Sequence, residues 1–251
     1  MNMQSFENSY KNLLFAQFYD FIIERLGRAS IDSQAVEFCA KNFGDPILEI
    51  GCGTGLKLLP LAEMGYSTVG LDNSPQMLSI LLQKLEKSER GLKERVQTIV
   101  GEMTQPPIEH KNFRLIFFTG SQFLHLSTDE QRLTCLKSIY GLLADNGVVY
   151  IANSKLEDKP EYDWVEQPVQ PDDEWVLQAQ RKWNNGAYQE DLKIISKLQT
   201  QQEYLFCWRL YPVEDTHMTN LIYQAGLQCI SPPSDLPTRL ASNVYLCKKS
   251  A

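Results

Sequence analysis

The sequence predicts an α/β fold: a doubly wound, mostly parallel sheet of seven strands, with an antiparallel β insert before the last helix. Short apolar runs alternate with helical segments up to about residue 153, and strands joined in this way lie parallel, with right-handed crossovers. The predicted strands centre on Leu48, Val69, Thr98, Ile116 and Val149. The later runs alternate in polarity about a turn signal, Asn184-Asn185-Gly186, which is typical of an antiparallel hairpin.

The chain divides into an N-terminal helical section, an alternating core, the insert and a C-terminal section, at residues 1–44, 45–153, 154–212 and 213–251. Apolar residues at helical intervals predict helices over residues 5–26 and 30–42. The proline- and acid-rich stretch 154–174 predicts a mobile loop or lid, and the insert over 154–212 is expected to cover the substrate together with the N-terminal helices. A helix and a closing pair of strands are expected in the C-terminal section. All four sections are expected to form a single domain.

Composition limits the class of protein. Hydrophobic residues make up 43% of the chain, enough for a large core. The net charge of −7 argues against non-specific nucleic-acid binding, which needs a basic surface. No segment approaches the roughly 18 consecutive apolar residues of a membrane span, and the N-terminus lacks the apolar run of a signal peptide, so we expect a cytoplasmic protein. The six cysteines form no C-x-x-C pair, no metal site is predicted, and a monomer or homodimer is expected.

The most informative run is ILEIGCGTG, residues 47–55. A buried strand, a tight glycine turn and a helix N-terminus form the place where α/β proteins hold a nucleotide-like ligand. Glycine permits the sharp reversal and lets a ligand approach the backbone. The third glycine, Gly55, comes one residue earlier than in the G-x-G-x-x-G pattern of dinucleotide enzymes. Glu49, two residues before Gly51, would repel a pyrophosphate but suits a cation.

The following elements agree with a nucleoside ligand. Residues 67–71 predict a strand that ends at Asp72, whose carboxylate can accept hydrogen bonds from both hydroxyls of a ribose. Ser74 is placed to cap the next helix. Taken singly, each motif has an ordinary structural interpretation as a turn, a helix-flanking acid or a core residue. Their order and spacing together indicate a bound nucleoside.

These motifs resemble the class I methyltransferases that depend on S-adenosylmethionine, over roughly residues 45–155. The string E-x-G-x-G-x-G is the leading signature of that family, and D-x-S-x-x-M-L at residues 72–78 extends it. The resemblance implies S-adenosylmethionine as cofactor and S-adenosylhomocysteine as product. Glu102 stands where the family usually has aspartate, so the contact with the adenine amino group that the family makes there is less secure. The cofactor-binding residues implied are Glu49, Gly51, Cys52, Gly53, Gly55, Asp72, Asn73, Met77, Glu102, Met103 and Thr119.

A finer likeness is to the small-molecule branch of the family, notably sugar-amine and glycine or sarcosine N-methyltransferases. It consists of the pair Tyr19-Asp20 in an N-terminal helix, a polar loop that ends in His125-Leu126, and the β insert. The loop lacks the (N/D)-P-P-(Y/F) motif that methyltransferases of adenine N6 and of protein amides often carry. The resemblance therefore implies N-methylation of a small metabolite.

Three residues are candidates for the chemistry. Methyl transfer from a sulfonium is an in-line displacement, so a base is needed only if the nucleophile arrives protonated. His125 is the candidate base or orienting group, since an imidazole can titrate near neutrality; alternatively its ring caps the following turn. Tyr10 and Tyr19, on the first predicted helix, can orient an amine or contact the sulfonium region. Alternatively both rings belong to the apolar stripe of that helix.

The insert and the loop after the fourth strand are expected to contact the substrate. The candidate residues are Gln122, Trp175, Trp208 and Arg209. Aromatic residues that alternate along an antiparallel strand also serve packing, and the sequence does not separate the two roles. Three rival functions stay open: O-methylation of a natural-product hydroxyl, a catalytically silent relative that binds the cofactor as a scaffold, and, disfavoured by Glu49 and the glycine spacing, a dinucleotide oxidoreductase.

Overall fold

The computed structural model describes residues 9–27, 30–156, 159–168, 170, 173–198, 202–238 and 242–250. The strands are β1 (Ile47–Ile50), β2 (Thr68–Asp72), β3 (Val96–Val100), β4 (Phe113–Phe118), β5 (Leu143–Ser154), β6 (Tyr162–Glu166), β7 (Trp175–Asn184), β8 (Ala187–Ser196), β9 (Glu203–Leu210), β10 (Leu227–Ile230) and β11 (Ser242–Lys249). The helices are α1 (Leu13–Arg25), α2 (Ser30–Phe43), α3 (Leu58–Glu63), α4 (Pro75–Glu86), α5 (Arg90–Lys93), α6 (Asp129–Leu142) and α7 (Asp215–Gln224). Short 3₁₀ turns cover Ser9–Lys11 and Gln122–His125.

The main sheet has seven strands in the order β10-β11-β5-β4-β1-β2-β3. The first five strands of the chain pair parallel, and β11 runs antiparallel to both β5 and β10. The predicted doubly wound, mostly parallel sheet is therefore confirmed. Because β1 lies between β2 and β4, the segments that follow these three strands meet at one edge of the sheet, where open α/β sheets bind ligands.

Both faces of the sheet are buried. On one face, Leu48 and Ile116 belong to a core cluster that includes residues of α6 and α7. On the other face, Leu115 and Phe117 belong to a cluster that includes residues of α2. Burial on both faces explains why β1 and β4 are almost continuously apolar.

The insert forms a second sheet of four antiparallel strands in the order β6-β7-β8-β9. The predicted antiparallel insert is confirmed, but the prediction of a loop over residues 154–174 is wrong for residues 162–166, which form β6. This edge strand is mostly exposed, so it lacks the buried alternation that marks a strand in sequence. It is held by pairing with β7, for example Val165 with Ala179.

The N-terminal section begins with a break that the sequence did not predict. Residues 5–8 of the first predicted helix lie outside the described residues. The rest forms the turn Ser9–Lys11 followed by α1 rather than one helix. Asn12 separates them, because its side-chain oxygen accepts hydrogen bonds from the amides of Leu14 (2.8 Å) and Phe15 (3.4 Å) and so caps α1. We call the turn Ser9–Lys11 and α1 together the roof.

The roof lies between the two sheets. Phe15 and Ile22 of α1 are fully buried in a cluster with Leu177 and Phe206 of the insert sheet. The roof also contacts α4, which follows β2. The hydroxyl of Ser9 donates to the carbonyl of Cys207 in β9 at 2.7 Å, which fixes the start of the roof to the insert. The insert therefore holds the roof over the carboxyl edge of the main sheet.

The C-terminal section folds as predicted, with α7 followed by the antiparallel pair β10 and β11. The second predicted helix is also present, as α2. Within the described ranges, none of the helices combines the length and the apolar content needed to cross a bilayer.

Candidate active site

A cavity of about 430 Å³ opens at the carboxyl edge of the main sheet, beneath the roof. This volume lies within the range of small-molecule sites. The segments after β1, β2, β3 and β4, the roof and β9 all contribute to its wall. Its lining residues are Ser9, Tyr10, Tyr19, Gly51, Gly53, Leu71, Asp72, Asn73, Met77, Gly101, Met103, Gly120, Gln122, His125, Cys207, Trp208, Arg209 and Tyr211.

Two glycines shape the wall after β1. Gly51 and Gly53 have φ values of +70° and +54°, a region that residues with a side chain rarely adopt. A Cβ at position 51 would lie 2.7 Å from the Cγ of Gln122, and one at position 53 would lie 3.2 Å from the Cε of Met77. The loop therefore needs glycine both for its conformation and for its close approach to neighbouring side chains.

Asp72 connects the ends of β1 and β2. One carboxylate oxygen accepts from the amide of Gly53 and the other from the amide of Ser74, both at 2.8 Å. Burial raises the pKa of this carboxyl, and the two amide bonds oppose the rise. Each oxygen retains a further lone pair for a ligand. The carboxylate is thus fixed in orientation at the cavity wall, where the sequence predicts a ribose.

Glu49 lies behind the glycine loop and does not line the cavity. Its side chain is 2% exposed, and its Oε2 has no hydrogen-bond partner within the described part of the chain. Burial raises the pKa of this carboxyl to about 8, against the opposing effects of the Lys57 charge and of a bond from the Leu58 amide. A buried acceptor without a partner is costly, and a nearby cation would stabilise its ionised form.

His125 lies in the 3₁₀ turn after β4 and lines the cavity with a partly buried side chain. Its desolvated environment lowers the pKa of the imidazole to about 4, although a bond from the ring to the carbonyl of Arg209 acts in the opposite direction. The prediction that this histidine titrates near neutrality is therefore wrong. The ring is neutral at physiological pH.

Aromatic rings of the roof and the insert line the cavity wall next to His125. The Tyr10 ring meets it edge to face, with centroids 5.3 Å apart. The rings of Tyr19 and Trp208 also lie near Tyr10, with centroids 6.2 Å and 6.4 Å from it. The structure therefore brings these predicted residues together on one wall of the cavity.

Twelve of the predicted site residues line the cavity, and six do not. Besides Glu49, those six include Cys52, a buried residue packed among Leu58 and its neighbours, which is consistent with a small filler. Glu102 accepts hydrogen bonds from the Asn73 amide at 3.2 Å, next to the cavity rather than in its wall. The others are Gly55, Thr119 and Trp175.

Two predicted substrate contacts are placed differently from expectation. Trp175 packs on Phe18, with ring centroids 4.9 Å apart, and on Tyr204, so its surroundings are those of a packing residue. The guanidinium of Arg209 donates to the side chain of Gln189 in β8 at 3.1 Å, on the face of the insert sheet opposite to Trp208. Its backbone carbonyl, rather than its charge, meets the ring of His125. A side chain on the outer face of a strand cannot reach a ligand on the inner face.

Several lining residues carried no sequence signal. Tyr211 follows β9, and its amide donates to the carbonyl of Leu124 at 2.7 Å, across 87 positions of the chain. Ser9 and Cys207 meet through hydrogen bonds between the roof and the edge of β9. Such long-range contacts are set by the packing of the insert. Gly120, at φ +60°, was detectable as part of the loop after β4 but was not singled out.

A family model matches the core of the chain. Residues 47–147 match the family model described as a methyltransferase domain. This match and the relatives and solved structures below support a class I S-adenosylmethionine-dependent methyltransferase. The resemblance predicted from the glycine loop and Asp72 is confirmed.

Relatives cover different shares of the chain. It is 25% identical to a glycine/sarcosine N-methyltransferase from Parasynechococcus marenigrum (strain WH8102), over 55% of this chain and 48% of that protein. It is 20% identical to a glycine/sarcosine N-methyltransferase from Aphanothece halophytica, over 88% of this chain and 81% of that protein. The match thus spans about half the length of the first relative and most of the second.

Solved structures agree in fold. The CcbJ methyltransferase from Streptomyces caelestis superposes with a TM-score of 0.82 at 19% identity, covering 98% of this chain and 99% of that one. CalS10, an amino pentose methyltransferase from Micromonospora echinaspora, gives 0.73 at 15% identity, covering 93% and 97%. At these identities the likeness concerns the fold.

The cavity fits the cofactor of this family, S-adenosylmethionine. The glycine cradle gives a close approach to backbone, and Asp72 presents an oriented carboxylate for the ribose. Met77 and Met103 also line the cavity, as the resemblance to the family implies for residues that bind the cofactor. The buried carboxyl of Glu49 behind the loop has an oxygen without a partner in the described chain and would be stabilised in its ionised form by a cation, which suits a ligand with an ammonium and a sulfonium. Among the described residues, no cluster of three histidine, cysteine or acidic side chains can hold a metal ion.

Replacing Asp72 with alanine is expected to weaken cofactor binding by roughly 1–3 kcal/mol, the scale for losing hydrogen bonds to a charged group. The loss follows because the carboxylate both orients the Gly53 amide and faces the cavity. Isothermal titration of the folded variant with S-adenosylmethionine measures the effect. Unchanged affinity, with circular dichroism like that of the wild type, contradicts the ribose assignment.

Replacing Glu49 with glutamine is expected to stabilise the cofactor-free protein at neutral pH. The folded-state pKa of about 8 lies above the ordinary 4.5, so wild-type stability falls as pH rises between these values, because only the unfolded state ionises readily. The gain at pH 7 is on the order of 3 kcal/mol and vanishes below pH 4.5. Urea unfolding at pH 4.5 and pH 7 measures it. If the difference in stability between the variant and the wild type does not change with pH, the pKa of the Glu49 carboxyl is not raised by burial.

Proposed function

We propose that this protein transfers the methyl group of S-adenosylmethionine to the nitrogen of a small-molecule amine. The observation that carries the proposal is the neutral imidazole of His125, whose pKa is lowered to about 4 by desolvation. Among the described residues that line the cavity, no other side chain is an imidazole. The strength of this base decides which acceptors the site can use.

A weak base favours an acceptor that is nucleophilic without first losing a proton. When bound, S-adenosylmethionine supplies a methyl group already activated by the sulfonium. An uncharged amine attacks such a group directly and needs only alignment and exclusion of water. A hydroxyl has to lose its proton as it attacks, and a base with a pKa of about 4 is poorly matched to that task near neutral pH.

His125 is suited to orient an amine. One ring nitrogen is bound to the carbonyl of Arg209, which leaves the other available as an acceptor in the neutral ring. An amine N–H donated to that nitrogen would turn the nitrogen lone pair of the acceptor towards the cofactor side of the cavity. The rings of Tyr10, Tyr19 and Trp208 on the same wall favour the positive charge that develops on the methylated nitrogen.

The relatives named above support an amine acceptor, since their names describe N-methylation of glycine and sarcosine. The size of the cavity supports a small acceptor, because the cofactor itself takes up much of about 430 Å³. Both points concern the class of acceptor and not its identity. The same class is implied by the Tyr19-Asp20 pair and the His125-Leu126 ending of the loop after β4.

An acceptor panel tests the proposal. Glycine, sarcosine and amino sugars are compared with catechol and flavonoid hydroxyl acceptors, and S-adenosylhomocysteine release is measured. Turnover of at least one amine class and none of the hydroxyl class is expected. Turnover confined to hydroxyl acceptors overturns the proposal in favour of an O-methyltransferase, and tight cofactor binding without any turnover favours a scaffold.

The pH dependence of the rate separates an orienting histidine from a base. With an amine acceptor, kcat/KM is expected to rise with pH as the acceptor loses its proton, without a limb near pH 6.5, because His125 protonates only as pH falls towards about 4. His125→Gln is expected to lower kcat by roughly tenfold through lost alignment and to leave the shape of the profile unchanged. A limb near pH 6.5 in the wild type that disappears in the variant would show that His125 is a general base.

A further inference from the structure

Asp20 joins three elements of the structure although it does not line the cavity. Its Oδ1 accepts a hydrogen bond from the hydroxyl of Thr54 at 2.5 Å, and its Oδ2 lies 2.5 Å from the Nζ of Lys84. The same Nζ donates to the carbonyl of Thr54 at 2.9 Å, which closes a triangle. We call Asp20, Thr54 and Lys84 the Asp20 lock. It connects the roof, the glycine loop and α4.

The lock holds Thr54, which lies between two glycines of the loop. Thr54 is 1% exposed and stands between Gly53 and Gly55, both of which have positive φ. Glycines lose more conformational entropy on ordering than other residues. Hydrogen bonds to the residue between two glycines therefore reduce the number of backbone conformations that the loop can adopt. The neighbour of Asp20, Tyr19, faces the cavity, and its ring lies 3.9 Å from where a Cβ at position 53 would be. The residue that carries the lock on α1 is therefore adjacent in sequence to a ring that approaches the glycine loop.

The lock contributes little to the stability of the fold. The side chains of Asp20 and Lys84 are 37% and 30% exposed, so solvent screens their charges. Independently of the lock, α1 is anchored by the Asn12 cap and by Phe15 in the core beneath the insert. Removing the ion pair should thus leave a folded protein whose loop and roof are less well positioned.

We infer that Asp20 is a positioning residue for the cofactor: through Thr54 and Lys84 it holds the glycine loop and Tyr19 in the arrangement that accepts S-adenosylmethionine. A second tie supports the assignment, because the hydroxyl of Ser74, two residues after Asp72, donates to the carbonyl of Tyr10 at 2.5 Å. The roof is therefore fixed to the segments after both β1 and β2. The inference rests on the cofactor site and not on the proposed acceptor.

Titration with S-adenosylhomocysteine, without any acceptor, tests the lock. Asp20→Asn and Lys84→Gln are each expected to bind about tenfold more weakly, equivalent to about 1.4 kcal/mol. The double variant should bind no more weakly than Asp20→Asn, because the two residues act through one triangle. Asp145→Asn removes another lysine–aspartate ion pair, with Lys249, outside the cavity and is expected to bind like the wild type. Failure of the amine proposal would not affect these results.

A second pair of variants shows whether the Thr54 hydroxyl positions the loop for the ligand or only stabilises the fold. Thr54→Val removes the hydroxyl at nearly constant volume, whereas Thr54→Ser keeps it. Thr54→Ser should therefore bind S-adenosylhomocysteine more tightly than Thr54→Val, with similar thermal midpoints for both. The inference is overturned by unchanged affinity of Asp20→Asn, by additive losses in the double variant, or by equal affinities of the two Thr54 variants. The Thr54 comparison decides the matter even if Asp20→Asn proves unstable.

Discussion

The bond from the Gly53 amide to the carboxylate of Asp72 is the constraint on which the site depends. It joins the end of β1 to the end of β2, and the second oxygen of the same carboxylate holds the amide of Ser74 at the start of α4. Ser74 in turn holds the roof through the carbonyl of Tyr10. The carboxylate of Asp72 thus connects the glycine loop, the start of α4 and, through Ser74, the roof.

Burial shifts the pKa values of two side chains of the site away from those of the free amino acids. Glu49 is kept largely protonated in the cofactor-free protein, and His125 is kept neutral. A positively charged ligand beside the glycine loop favours ionisation of Glu49. The burial of Glu49, which lowers the stability of the cofactor-free protein at neutral pH, therefore also favours the binding of a cation. A neutral His125 can accept a hydrogen bond but is a weak base. Both properties match a site that binds a sulfonium and aligns an amine.

The sequence predicted the parts of the fold and site that depend on local pattern. Alternating apolar runs are enough to place the parallel strands, and the spacing of Gly51, Gly53 and Asp72 is enough to predict the cofactor edge, because strand ends meet there. The missed features depend on distant packing. β6 pairs as an exposed edge strand without a buried face, and the pKa of His125 depends on its burial in the folded chain and on the carbonyl of Arg209 in β9. The bond from Tyr211 to Leu124 has no local signal at all.

The central claim is that the segment after β1, together with Asp72, cradles an adenosyl ligand. A crystal structure of the protein soaked with S-adenosylhomocysteine and, separately, with NAD tests it most directly. We expect clear density for the homocysteine nucleoside, with both ribose hydroxyls on Asp72 and the adenine beside Met77, and none for NAD. Density for NAD in this cavity, or an adenosyl ligand whose ribose lies away from Asp72, would contradict the account.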